Sequence, residues 1–225
     1  MTVCFNAEKT IEKTINSVIG QNNELFQYII IDGGSTDSTG EIINKYASYI
    51  DIYISEKDNG IYDAMNKGLS LVDGEYVIFM NSGDVFYDSN ILDNIKSICD
   101  DKYDIIYGDH RLDYGRCSKI VYSKSENEIL NNKLTHMPFC HQSVFVRKDS
   151  LGDKVFHLEY KIVADFDMIY YLLSNYNIKL KKYNGTVSLV EMDGISDKYS
   201  YMQIKERERL FLHTMMRVII GNVFL

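Results

Sequence analysis

The sequence predicts an α/β protein, with a mainly parallel central sheet flanked by helices and a mixed second half. Three observations carry the prediction. Two apolar runs, Tyr28-Ile29-Ile30-Ile31 and Tyr76-Val77-Ile78-Phe79-Met80, are β-branched and aromatic without interruption, as in strands buried on both faces. Such strands alternate with amphipathic helical stretches through the first 80 or so residues, the pattern of βαβ crossovers. After Asp84 the alternation gives way to shorter strands and a turn, the mark of a mixed sheet.

Taken in order, Thr2-Val3-Cys4-Phe5 reads as the tail of a first strand. Residues 7–21 carry Ile11, Ile15, Val18 and Ile19 at helical spacing, with Glu8, Lys9, Glu12 and Lys13 left for water. The strand over 28–31 leads through a turn into a helix ending near residue 49, with Ile42, Ile43, Tyr46 and Ala47 on one side. A strand over 51–55, a helix over 61–71 and a strand over 76–80 follow. Beyond Asp84, Ile91, Leu92, Ile95 and Ile98 mark a helix. Strands over 103–107 and 119–122 flank a Tyr114-Gly115 turn, residues 141–147 alternate as a strand, 164–175 read as a helix and 178–190 as further strand. The expected organisation is a single domain over 1–225: a half to residue 90 that binds one ligand, a half over 91–200 that faces a second, and a C-terminal helix over 201–225.

Composition narrows the function. A chain of 225 residues, 45% hydrophobic and 25% charged, builds one full-sized core. Its net charge of -8 and pI near 5.1 argue against a nucleic-acid partner, which calls for a basic face. Cys4, Cys99, Cys117 and Cys140 have no metal-ligand spacing, and free, buried thiols in a reducing cytoplasm fit them. No cleavable signal is expected, because Glu8 and Lys9 interrupt the start. The tail opens on Lys205, Glu206, Arg207, Glu208 and Arg209 and closes on an apolar run, Val218 to Leu225, of eight residues, against the roughly 20 needed to span a bilayer. It has two readings: a helix packed on the body, or a peripheral membrane contact aided by Arg207, Arg209 and Arg217.

The chemistry lies where the strands end. Ligands of open α/β sheets collect at carboxyl strand ends. One run stops in Asp32-Gly33-Gly34-Ser35-Thr36-Asp37, where glycines admit a ligand to the backbone and Ser35, Thr36 and Ser38 are placed to cap the next helix. The other stops in Asn81-Ser82-Gly83-Asp84, where Asn81 and Asp84 offer an amide oxygen and a carboxylate, half a shell for Mg²⁺ or Mn²⁺ with diphosphate oxygens completing it. Neither turn has the spacing of a dinucleotide GxGxxG or a GxxxxGKS phosphate loop. A capped βα turn and a plain β-turn explain each one singly.

Together with Val3-Cys4-Phe5-Asn6 and Asp58-Asn59-Gly60-Ile61-Tyr62-Asp63-Ala64-Met65-Asn66-Lys67-Gly68, these segments in this order resemble family 2 glycosyltransferases of the GT-A fold, with its Rossmann-like sheet. The likeness is to bacterial enzymes of capsule, exopolysaccharide or lipopolysaccharide synthesis; it is strong over the first 90 residues and looser to about Ser196. The resemblance implies inverting transfer of a sugar from a nucleotide donor, held through Mn²⁺ or Mg²⁺, to a hydroxyl of a glycan acceptor carried on a lipid, in the cytoplasm or at the inner face of the plasma membrane. It implies donor contacts from Phe5, Asn6, Asp32, Asn66, Asn81 and Asp84, with Asp84 as metal ligand. It implies a general base at Asp165, in Val163-Ala164-Asp165-Phe166-Asp167, with Asp167 as runner-up, and acceptor contacts from His141 and Gln142. Asp193-Gly194-Ile195-Ser196 resembles a loop that closes over the diphosphate. Two departures from the family's pattern stand out: Gly33 takes the place of the second of two adjacent acids, and the usual Asp-x-Asp becomes Asn81-Ser82-Gly83 with Asp84 following, one carboxylate replaced by an amide and another missing. A nucleotide-sugar binding module without turnover and a sugar nucleotidyltransferase remain as alternatives.

Overall fold

The computed structural model describes residues 1–99, 102–115, 117–131, 134–152, 156–175, 177–191 and 202–212. The chain begins β1 (Thr2–Cys4), α1 (Ile11–Ile19), β2 (Ile29–Asp32), α2 (Thr39–Asn44), β3 (Ile52–Ser55), α3 (Ile61–Leu69), β4 (Tyr76–Val77) and β5 (Val85–Phe86). It continues through α4 (Ile91–Lys96), β6 (Ile105–Asp113), β7 (Ser118–Val121), α5 (Glu126–Asn131) and β8 (Val144–Arg147). It then passes α6 (Lys148–Leu151), α7 (Ala164–Asn175), β9 (Leu180–Glu191) and a helix α8 over 202–212.

Strands β1, β2 and β3 pair in parallel with β2 central. The second sheet runs β4-β8-β6-β9-β5 with β7 as an outer partner of β6, and only its β6–β9 pairing is parallel. The two sheets join through the segment that leaves β4: Met80 N–H donates to Met1 O at 2.9 Å and Ser82 N–H to Val3 O at 3.2 Å. The expected strand over 76–80 is therefore split. Its first two residues pair with β8, and the rest hydrogen-bond to β1 outside the regular ladder. That seam carries residues 78–82 alongside β1 and sets Asn81 to Asp84 beside the end of the first strand.

The side-chain period of two explains the layers. Ile29 and Ile31 of β2 pack on one side with Tyr62, Met65, Phe166 and Ile169 from α3 and α7, while Ile30 packs on the other with Ile11, Ile15, Ile43 and Ile91 from α1, α2 and α4. The same split divides Ile105 and Tyr107 from Ile106, and Val144 and Val146 from Phe145. Helices thus cover both faces, and each fully buried isoleucine contributes about 1.5–3 kcal/mol of hydrophobic stabilisation. Helix α3 comes close to the sheet at Gly68, where a Cβ would stand 3.1 Å from Ile31 Cγ1.

Several expected elements have different bounds. The helix predicted over 7–21 starts at Ile11, after a turn in which Ile11 N–H donates to Ala7 O at 2.9 Å. Strand β6 runs nine residues to Asp113 before the Gly115 turn, where φ is +77°. Residues His141–Ser143 form a 3₁₀ turn and not the start of a strand, because Ser143 N–H bonds back to Cys140 O at 2.9 Å. No disulfide joins the four cysteines; Cys4 is buried and Cys99 and Cys140 are half-buried, but Cys117 is exposed, contrary to the expected burial. Among the described residues no helix is long and apolar enough to cross a membrane. The Asp193–Ser196 loop and the apolar end of the tail, with Arg217, lie outside the described residues.

Candidate active site

The donor-side residues gather where β1 and β2 end. Phe5 is 61% exposed, an unusual position for a phenylalanine. Asn6 follows with φ at +47°, a left-handed conformation that asparagine tolerates. Its Oδ1 accepts from Thr36 N–H at 2.9 Å and its own N–H donates to Ser35 Oγ at 2.7 Å, so Asn6 fastens the 32–39 turn to the first strand. Asp32 is 1% exposed and accepts from Ser35 Oγ at 2.5 Å and Ser55 Oγ at 2.6 Å. Its carboxylate, expected to contact the donor, shapes the turn from beneath. The cap of α2 comes from Asp37, whose Oδ1 accepts from Thr39 N–H at 3.0 Å, whereas Ser38 makes no side-chain capping bond.

Asn66, also expected at the donor, has internal partners. Its Nδ2 donates to Phe156 O at 2.9 Å and its Oδ1 accepts from Phe156 N–H at 2.7 Å, which uses both ends of the amide to clamp α3 to the segment before α7. Replacing Asn66 by Ala leaves a backbone N–H and C=O unpaired, at a cost of about 1–3 kcal/mol. We expect a melting temperature lowered by several degrees with nucleotide affinity unchanged; an unchanged melting temperature with weakened nucleotide binding would restore the donor role.

Asp84 is 6% exposed. Gln142 Nε2 donates to its Oδ2 at 2.8 Å, and Glu191 N–H approaches Oδ1 at 3.4 Å. Thr14 of α1 pins the turn by donating to Asp84 O at 2.8 Å and accepting from Gly83 N–H at 2.9 Å. Burial pushes the Asp84 carboxyl up to about 6, against the pull of the Gln142 bond and the His141 charge. Gln142, expected at the acceptor, is 7% exposed, and its amide bonds to Asp84 and to Cys140 Sγ.

The second half delivers Asp165 in the first turn of α7. His141 Nδ1 donates to Asp165 Oδ2 at 3.2 Å, while the other ring nitrogen, Nε2, lies 3.0 Å from Asn81 Nδ2. Tyr62 hydroxyl reaches Ile162 O at 2.6 Å and Asp165 Oδ1 at 3.2 Å. Burial alone would lower the His141 imidazole; its hydrogen bond to Asp165 and the charges of Asp165 and Asp84 override that and hold it above its ordinary value. Burial and the Asp165 charge keep Tyr62 protonated as a donor. Asp167, two residues on, turns to His157 at 2.9 Å, so the two acids of the motif serve different partners. A small cavity beside Asp165 and His141 is otherwise apolar, lined by Met65, Phe79 and Phe156 among others. A more open cleft lies by the start of α3, between Asn59–Asp63 and Leu158, Tyr160 and Lys161.

Thr14 and Glu191 carry no signal in the sequence, and Asp58 and Tyr62 appear there only as members of the 58–68 motif, without a role. A Cβ at Gly33 would collide with the Asp58 carboxylate, and one at Gly83 would stand 3.1 Å from Glu191 Oε2. A carboxylate from elsewhere in the chain thus stands close beside each of these two glycines. Glu191 pairs with Lys13. Among the described residues no group of three or more His, Cys, Asp or Glu side chains is spaced to hold a metal ion. Asn81 Oδ1 is buried without a hydrogen-bond partner among the described residues.

Residues 1–156 match the family model described as glycosyl transferase family 2. A PGL/p-HBAD biosynthesis glycosyltransferase of Mycobacterium bovis is 28% identical over 177 residues, covering 76% of this chain and 67% of the relative. S. aureus TarS 1–349, solved with UDP-GlcNAc, superimposes with a TM-score of 0.72 at 20% identity, covering 88% of this chain and 59% of that one. Mannosyltransferase PcManGT from Pyrobaculum calidifontis, in complex with GDP-Man and Mn²⁺, gives 0.70 at 12% identity, covering 96% of this chain and 63% of that one. The chain spans only part of each of these proteins, and the structural likeness bears out the GT-A type of architecture. With more than half its length matched by the family model, the chain belongs to glycosyl transferase family 2.

Proposed function

We propose that the chain transfers a sugar, with inversion, from a nucleoside-diphosphate sugar to a hydroxyl of a lipid-linked glycan in the building of a cell-surface polysaccharide. One observation carries the reading. The hydrogen-bonded run Asn81, His141, Asp165 links the rim where the first strands end to a carboxylate at the start of α7, far along the chain. A donor on that rim and an acceptor beside Asp165 would meet across it. The half to residue 90 then serves the donor and 91–200 the acceptor, at the cytoplasmic side, which the free cysteines support.

In this reading Phe5 offers its exposed ring to the nucleobase, and Asn6 keeps the neighbouring turn in place. The buried, unpaired Asn81 Oδ1 awaits a donor group of the ligand. Asp84 is the residue that would hold Mn²⁺ or Mg²⁺: it is a hard oxygen ligand whose burial disfavours its charged form more than the nearby His141 and Lys13 charges favour it. When bound, such a cation offsets charge on the departing diphosphate. Asp165 takes the proton from the acceptor hydroxyl as that oxygen bonds to the sugar, and Tyr62 and His141 keep its two oxygens in place. His141 in this account supports the base and does not contact acceptor.

The test is calorimetric binding of UDP, GDP, CDP and dTDP, each with and without Mn²⁺, to wild type and Asp84→Ala. One diphosphate should bind in a Mn²⁺-dependent manner that the substitution removes, and its base names the donor. Failure of all four to bind would overturn the donor site.

A further inference from the structure

We propose that His141 is a positioning residue for the base, fixed by Asn81 on one side and orienting Asp165 on the other. The inference rests on the reading of Asp165 as general base and goes beyond it by making Asn81 and the tautomer of the imidazole part of what holds that base. The geometry is directional. Asp165 accepts at 3.2 Å, so His141 Nδ1 must carry a hydrogen; in the neutral ring Nε2 is then bare and accepts from Asn81 Nδ2 at 3.0 Å. Where the ring is neutral, an Asn81 amide that donates to Nε2 favours the Nδ1–H tautomer, the one that can hold Asp165.

The other contacts agree with this division of labour. Asp165 Oδ1 receives the Tyr62 hydroxyl at 3.2 Å and Phe166 N–H at 2.8 Å, and Oδ2 receives His141, so the carboxylate is held from three directions with lone pairs left over for an acceptor proton. The His141 ring has no nitrogen to spare for a sugar hydroxyl, since both are engaged within the protein. Cavity walls of Met65, Phe79 and Phe156 offer no polar group to replace it if it is removed. A base displaced by even an ångström forfeits on the order of 100-fold in rate.

The test uses amide mimics of the two ring nitrogens. The Nδ2 of an asparagine at position 141 falls near the place of Nδ1, and the Nε2 of a glutamine falls near that of Nε2. Turnover is read as release of nucleoside diphosphate from UDP-glucose, UDP-GlcNAc, GDP-mannose and dTDP-glucose, with water as the acceptor. His141→Gln should lower kcat by roughly 100-fold at unchanged donor KM, and His141→Asn should recover most of it, with both variants binding UDP or GDP as wild type does. Wild-type rates in both variants, or equal losses without rescue by asparagine, would overturn the proposal. Asp165→Asn separates the two levels. If it hydrolyses donor like wild type, the base assignment falls; if it is inactive while the His141 variants are not, only the positioning role falls. Independently of turnover, nitrogen NMR of ¹⁵N-histidine protein at high pH should find His141 as the Nδ1–H tautomer, and an Nε2–H ring there would also overturn it.

Discussion

Asp165→Asn is expected to reduce sugar transfer by about 10²–10⁴-fold, the usual contribution of a positioned general base, while nucleoside diphosphate binding stays within about twofold of wild type. The amide keeps the size and planarity of the carboxylate, and its oxygen can still accept from Tyr62 hydroxyl, 3.2 Å from Oδ1 in the wild-type protein. What it lacks is proton affinity. The donor-side residues Phe5, Asn6 and Asp84 do not touch this side chain, so donor affinity has no reason to change. Calorimetry and a transfer or hydrolysis assay on the same preparation read the two quantities separately. A binding module without turnover would show no activity in either protein. A variant that transfers at the wild-type rate would mean that another group removes the proton. Asp167 is the adjacent acid, but it is turned to His157 at 2.9 Å.

The contrast between Asp165 and Asp167 was legible because helical spacing decides it: two residues apart on one helix, they point to different neighbours. The frame was legible for a similar reason. Ile29, Ile30 and Ile31 are each at most 1% exposed, and an unbroken β-branched run has few other places to be. Polar residues were less legible, because their partners come from distant parts of the chain. Asn66 looks like a ligand contact from its helix, yet both ends of its amide are taken by the backbone 90 residues on. Asp32 and Gln142, which the resemblance places at donor and acceptor, are buried with hydrogen-bond partners inside the protein. No local pattern announces that Asp58 fills the place beside Gly33, or that Glu191 approaches Gly83 from the end of β9. Periodicity reports which face a side chain occupies; it does not report which partner it finds there.

Asp84→Asn should separate stability from function in opposite directions. The Asp84 carboxyl is pushed from 3.8 to about 6 by burial, so the folded protein holds on to this proton over a range in which the unfolded chain has already released it. Stability from this group therefore falls as pH rises from about 4 to about 6, and at pH 7 the ionised side chain costs the fold on the order of 3 kcal/mol in the absence of a cation. An asparagine is neutral at every pH, and its oxygen can still accept from Gln142 Nε2, which donates at 2.8 Å in the wild type. In EDTA at pH 7 the variant should melt several degrees higher, by roughly 2–4 °C per kcal/mol for a chain of this size, and the wild-type loss of stability between pH 4 and 6 should be reduced. With Mn²⁺ and the diphosphate that binds, the order should reverse, since ligand stabilises only the protein able to hold it. A variant that melts lower than wild type in EDTA would show the Gln142 bond to a charged acceptor outweighing the burial cost, and would remove the argument that this carboxylate waits for a cation. A cost carried by the free protein and relieved by the ligand is what a buried binding carboxylate entails: the same desolvation that disfavours its charge alone strengthens its attraction to a positive partner.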